Sequence, residues 1–515
     1  MHFMLRFDHQ LDAAKLRGAL ERLLSRQDGW RRLGGRLRRN AAGKLDYHVP
    51  PSYTEPRPAL AYHHESHPDA RIQQHPLGAR VPGAAAGRRL QTPRILARGE
   101  DFVPLMRRPE DPTCLADYLR ADDAPVLGLH VVSFADATLV TLRGSHVLFD
   151  AMGRRAFLEA WSLTLQGRDE EVAPLLERDP MATLGAPTPE KTEPCTLPVE
   201  EYKHAQAQLG PRQFLMFGLR EIVDRISQWR RRPVEEARIV CVPKPYVERL
   251  RKAALREWLE TQDSRSVVAQ VGDEATPSKR SAFLSDGDVL CAWWTRHLLA
   301  ARLPSTVRQT ICVMNMMGLR DLLLQSGLVT GAERKSAMLG NALVPVPAFF
   351  LSQELSEKPL GQMAGKLRQA LQELGTWPQV EALLKLQRAA LDKKGGLPAL
   401  FGDGGMHMVV CTNWLKARFF DVDFSAALIP TAGKDNGDKS ASTPRVAKPT
   451  NVQMHMTTES TPASLMSLFT ILGKDEYGNY WIRGTLREEY WPKVEHSLLE
   501  EVLLERVEPE VGVRI

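Results

Sequence analysis

The chain has 515 residues, 43% hydrophobic and 25% charged, with a formal net charge of +6. At roughly 150 residues per domain it is too long for one ordinary core and reads as about two to four domains. These fractions are ordinary for a globular protein, and no apolar run reaches the about 18 residues of a membrane-spanning helix.

The first ten residues, "MHFMLRFDHQ", carry charge where a secretory signal would be apolar, and residues 3–8 read as a short strand. A helix follows over 11–26, with Leu11, Leu16, Leu20, Leu23 and Leu24 on about one face. Gly34-Gly35 marks a turn into "RLRRN", a second strand. Residues 50–120 are rich in Pro, His and Arg and read as mostly loop. His63, His64, His67 and His75 gather there without a cysteine or carboxylate pattern, so surface histidines are expected rather than a metal site. "VLGLHVVSF" (126–134) and "TLVTLRGSH" (138–146) flank the turn "ADA" as a hairpin. "GRRAFLEAWSLTLQG" (153–167) then reads as a helix lined by Phe157, Leu158, Trp161 and Leu165 and stopped by Gly167.

Residues 180–200, Pro/Thr/Glu-rich, read as an exposed crossover, and a helix over 213–229 leads to a boundary near residue 235. The expected division is therefore 1–180, a crossover segment 181–235, and 236–515. In the last part "ARIVCVP" (237–243) is a strand, and "LSDGDVLCAWWTRHLLA" (284–300) a helix. Ser285 and Asp288 there form a capping box, and Val289, Ala292, Trp293 and Leu299 are core residues. "TICVMNMMGLR" (310–320) is a strand running into a turn, "GNALVPVPAFF" (340–350) another apolar segment and "MVVCTNW" (408–414) a strand, and 431–450 is a Gly/Ser/Lys/Pro-rich loop. Strands and helices mix in both halves, which favours a two-domain α/β or α+β chain, each half with its own sheet. The six cysteines are scattered with no Cys-x-x-Cys pair, as in a reducing cytoplasm.

Phosphate loops, zinc pairs and nucleophile elbows are absent as motifs, and "GDGG" at 402–405 is a plain turn. What remains is "GSHVLFDAMG" (144–153). His146 ends the hairpin and Asp150 lies in the strand-to-helix turn. A strand-end histidine is more often a satisfied polar group. A histidine is also suited to taking a proton from a hydroxyl or amine near neutral pH, and the residues alone leave both readings open.

"SHVLFDAMG" before a helix containing "EAW" resembles the His-x-x-x-Asp motif of the BAHD acyltransferases, above all their fungal, trichothecene acetyltransferase-like branch. "FLSDGDVLCAWW", "NMMGLRDLL", "LGNAL" and "TNWLKARFFDVDFSAAL" resemble later family segments in the same order. The resemblance implies two chloramphenicol-acetyltransferase-like α/β domains with a channel between them. It implies acyl-CoA, acetyl-CoA for this branch, as co-substrate, no metal, a small-molecule acceptor, and a cytoplasmic monomer. His146 is then the general base, and Asp150, Gly153, Arg320 and Asp423 support the site, with Arg320 the partner of Asp150. "DFSAA" keeps Asp423 and Phe424 and lacks the family's glycines and tryptophan. The match begins at what resembles the family's second strand segment, so either the first strand is missing or the gene model is short. Ser145 before the histidine and Ala151 after the aspartate differ from peptide-synthetase condensation domains. O-acylation is the leading reading, with N-acylation of an amine or a silent, hydrophobic-ligand-binding paralogue as alternatives.

Overall fold

The computed structural model describes all residues except 121–122, 187–199, 229–234, 270–282, 304–305, 394–395, 431–444, 457–465 and 508–515. Most of the crossover expected over 180–200 and of the loop expected over 431–450 therefore lies outside the described residues. Fourteen strands are described: β1 (His2–Phe7), β2 (Arg36–Arg39), β3 (Leu45–His48), β4 (Ala61–His67), β5 (Arg94–Arg98), β6 (Gly128–Phe134), β7 (Thr138–Arg143), β8 (Glu235–Val242), β9 (Thr310–Gly318), β10 (Leu343–Leu351), β11 (His407–Asn413), β12 (Asn451–His455), β13 (Met466–Lys474) and β14 (Tyr480–Arg487).

Two mixed sheets organise them. The first has the order β12-β1-β7-β6-β4 and the second β10-β9-β11-β13-β14-β8-β5, with β2 and β3 as a separate ribbon. The sheets exchange strands. β12, from late in the chain, pairs antiparallel with β1. β5, from early in the chain, pairs antiparallel with β8. β1 and β7 are buried along their whole length because they are interior strands covered on both faces.

One face of the first sheet carries two packed helices. Asp12 caps helix Ala13–Ser25 by accepting from the N–H groups of Ala14 and Lys15, and Leu16, Leu20, Leu23 and Leu24 are buried. The Trp161 Nε1–H of helix Ala151–Leu165 donates to the Leu16 carbonyl at 3.1 Å. Phe7 stacks on Phe424, and Trp161 meets Phe424 edge-on with ring centroids 4.8 Å apart. In the second half, helix Asp286–Arg302 starts at the Ser285/Asp288 capping box and buries Trp293 and Trp294. There Trp294 packs against Phe469 of the second sheet and against Trp491.

Three expectations are corrected. Residues 50–120 hold β4 and β5, two edge strands with half-polar sequences, "AYHHESH" and "RILAR", whose exposed faces mask the alternation. The histidines of β4 are accounted for by packing: His63 stacks on His130 and His67 on Phe134. The strand expected to reach residue 146 ends at Arg143, and the helix begins at Ala151 rather than 153.

Candidate active site

After β7 the chain turns over 145–148, closed by a hydrogen bond from the Leu148 N–H to the Ser145 carbonyl at 3.1 Å. His146 and Val147 form the exposed tip of this turn. Asp150 then caps helix Ala151–Leu165, its Oδ1 accepting from the Gly153 N–H at 2.8 Å. The turn is therefore fixed on one side by an interior strand and on the other by a capped helix.

Asp150 is 5% exposed and its carboxylate is fully engaged. Oδ1 also accepts from Arg320 Nη2 at 2.8 Å, and Oδ2 accepts from Arg320 Nη1 at 2.7 Å and from the Ala342 N–H at 3.1 Å. A carboxylate has about four lone-pair sites, and all are filled. Asp150 is thus a clamp, with no acceptor left to orient the His146 ring. Arg320 follows β9 and Ala342 precedes β10, so the clamp ties the histidine turn of the first half to the second sheet.

The segment 338–342 wraps this clamp. Arg320 Nη2 also donates to the carbonyls of Met338 and Gly340 at 3.1 and 3.0 Å. Asn341 Nδ2 donates to the His146 carbonyl at 3.0 Å. A Cβ on Gly153 would lie 1.9 Å from the Leu339 carbonyl oxygen, so only glycine permits this close backbone approach.

The His146 ring is reached by solvent yet ringed by protein. The resulting loss of hydration is the largest influence on it and lowers its pKa from the ordinary histidine value; a hydrogen bond to its own backbone opposes this, and the Arg154 charge adds to the lowering. Arg154 lies 4% exposed over the rings of Phe3 (4.7 Å) and Phe149 (5.3 Å), and burial pushes its own pKa down to about 10. A neutral imidazole at an exposed tip is the state in which a histidine accepts a proton.

Asp423 is not brought to this turn. Its carbonyl accepts from Ser162 Oγ at 2.5 Å, twelve residues or about 18 Å along the helix from Asp150. Its Oδ1 accepts from the Ser425 N–H at 2.8 Å, so it shapes the turn that seats Phe424 in the core. Asn341 and Arg154 are contacts that the sequence alone did not single out. Asn341 lies in the Gly-Asn segment, which is a signal; nothing in "GRRAF" marks Arg154 as buried.

No protein-family model matches the chain. Among curated proteins it is 36% identical over 496 residues to the acetyltransferase adrJ of Penicillium rubens, covering 96% of this chain and 91% of that one. It is also 36% identical over 501 residues to calD of Penicillium decumbens, described as a transcriptional regulator, covering 97% and 91%. Among solved structures it is similar to TRI101 of F. graminearum, crystallised with coenzyme A and T-2 mycotoxin, at TM-score 0.59 and 13% identity over 96% of this chain and 92% of that one. With a relative of that identity aligned along nearly its whole length, and with two mixed sheets joined at a clamped histidine turn, this chain belongs to the fungal BAHD-like acetyltransferases.

Proposed function

We propose that the chain transfers an acyl group, acetyl in the leading reading, from acyl-CoA to a hydroxyl of a small metabolite, with His146 as general base. The observation that carries this is an exposed, neutral-leaning histidine on a turn that the Asp150–Arg320 clamp holds between the two sheets. The coenzyme A and toxin of the TRI101 crystals support the substrate classes. In the reaction the acceptor oxygen attacks the thioester carbon while His146 takes the hydroxyl proton. The C–S bond of the tetrahedral oxyanion then breaks, and the imidazolium returns the proton to the departing CoA thiolate. Atoms and charge balance without a metal or a covalent enzyme intermediate.

Within this reading Asp150, Arg320, Gly153 and Asn341 position the turn, and Asp423 supports the helix behind it. Segments 1–180, 181–235 and 236–515 serve as the working division of the chain, and the protein acts as a cytoplasmic monomer. A regulatory role, the description attached to calD, gives no reason for a clamped, exposed histidine.

The test is incubation with acetyl-CoA and a panel of neutral alcohols and primary amines, followed by mass spectrometry and thiol release. Ester products supply the expected result. Amide products alone would move the reading to N-acylation. No product and no thiol from any pair would remove it.

A further inference from the structure

Helix Pro211–Gln228 turns a hydrophobic face away from the rest of the protein. Leu215, Met216, Leu219, Ile222, Val223 and Ile226 are each 46–68% exposed. At 3.6 residues per turn the six fall within an arc of about 120°, the width of stripe that an amphipathic helix ordinarily turns toward a core. Here the core lies on the opposite side. Phe217 is buried with Leu209, Met406 and Met408, Phe214 packs against the same group, and Arg220 Nη1 donates to the Gly405 and Met406 carbonyls. The body therefore grips the helix along one edge and leaves its wider apolar face to solvent. Single exposed apolar side chains are normal in any protein, whereas a contiguous patch marks an interaction surface.

The chain itself does not supply a cover for this face. The four longest segments outside the described residues are 187–199, 270–282, 431–444 and 457–465. Their large apolar residues are Leu197, Val199, Val271 and Leu465, one or two to a segment, too few to match a stripe of six. Charge then decides the kind of partner. Residues 211–232 contain six arginines, no lysine and two carboxylates, Glu221 and Asp224, a net +4. The whole chain carries +6, so two thirds of its net charge belongs to this helix and the Trp-Arg-Arg-Arg that follows it in sequence. An arginine-rich amphipathic helix with an aliphatic face is suited to lie in the plane of a bilayer surface, its apolar side chains at the acyl boundary and its cations among anionic headgroups. Arg212, exposed on the first turn, has a stem long enough to reach those headgroups. No described helix is long and apolar enough to cross a membrane, and this one holds three arginines and two acids within its 18 residues, so it rests on the surface instead of spanning it.

We propose that the Leu215–Ile226 face docks the protein peripherally onto an anionic membrane surface. The proposal is independent of the acyl-transfer reading, because its test reads binding and not turnover. The full chain is sedimented with vesicles of phosphatidylcholine alone and with vesicles containing about a third phosphatidylserine. Salt is set at about 0.1 M and about 1 M, which shortens the Debye length from about 10 Å to about 3 Å. Ile222→Asp combined with Ile226→Asp puts charge on the face at two exposed positions. Leu219→Ser combined with Val223→Ser is a milder pair should the aspartates prevent folding. Leu499→Asp alters a comparably exposed leucine on helix Trp491–Val507 and serves as the control.

The expected result is sedimentation with the phosphatidylserine vesicles, much less with phosphatidylcholine alone, and less at the higher salt. The aspartate pair should weaken binding roughly tenfold or more with its melting temperature unchanged, and Leu499→Asp should bind as the unsubstituted protein does. No sedimentation with phosphatidylserine, equal binding to both lipids, binding that neither pair weakens, or an equal loss in Leu499→Asp overturns the proposal. Dimerisation that the aspartate pair abolishes, without vesicle binding, would assign the face to a second copy of the chain and overturn it as well.

Discussion

His146 combines an exposed ring with partial loss of hydration, and that combination has a kinetic consequence. A base works only when deprotonated, so kcat/KM falls as pH drops through the base's pKa. Because burial and the Arg154 charge lower that pKa, the acid limb of the profile should lie below the ordinary histidine value of about 6.5. Activity should be flat from pH 8 down to that point. Arg154→Met keeps the packing against Phe3 and Phe149 while removing the charge, so its limb should move upward, toward the ordinary value. A limb at or above pH 6.5 in the unsubstituted enzyme, unmoved in the variant, would show that a different group is the base. A second histidine makes a stability prediction. Burial lowers His130 to about 4. The folded state therefore resists its protonation while the unfolded chain does not, so its contribution is complete above pH 6.5 and is lost as pH falls toward 4. The full loss is about 3 kcal/mol by linkage, and His130→Phe should flatten the fall of melting temperature across that window.

At the scale of elements, the strand–turn–helix unit stands on one carboxylate. Asp150→Asn retains a cap for the helix but breaks the pair with Arg320. Removing one partner of a buried pair costs about 3–5 kcal/mol, more than the roughly 1 kcal/mol of a lost cap. Asp150→Asn and Arg320→Ala should each lower the melting temperature, and the double variant should lose less than their sum. Additive losses in a double-mutant cycle would mean that the two side chains act independently. Gly153→Ala should destabilise by about 1–3 kcal/mol through overpacking, since its methyl meets the Leu339 backbone. These elements also show what the sequence could reveal. The hairpin, both helix caps and the second-half segments that became β8, β9, β10 and β11 were legible because burial there follows period and because Ser285, Asp288 and Gly167 are strong local signals, whereas β12, β13 and β14 were not singled out. β4 and β5 were not, because each is an edge strand bonded on one side. His-x-x-x-Asp was readable as a motif, whereas the segment wrapping it, 338–342, depends on contacts nearly 200 residues apart.

For the whole molecule, strand exchange makes the two halves depend on each other. β12 is needed to complete the first sheet and β5 the second, and the Asp150–Arg320 clamp adds a polar tie between them. Scanning calorimetry should give a single unfolding transition. Two resolved transitions would contradict the exchange as a structural link. The same joint holds the proposed reaction centre, since the histidine comes from one half and its clamp from the other. The central claim is therefore best tested by thiol release from acetyl-CoA in the presence of a neutral alcohol acceptor, comparing the unsubstituted enzyme with His146→Ala. Removing a positioned base should slow transfer about 10²–10⁴-fold, with the melting temperature unchanged because the ring is exposed. Thiol release and ester formation at unsubstituted rates in His146→Ala would contradict the account.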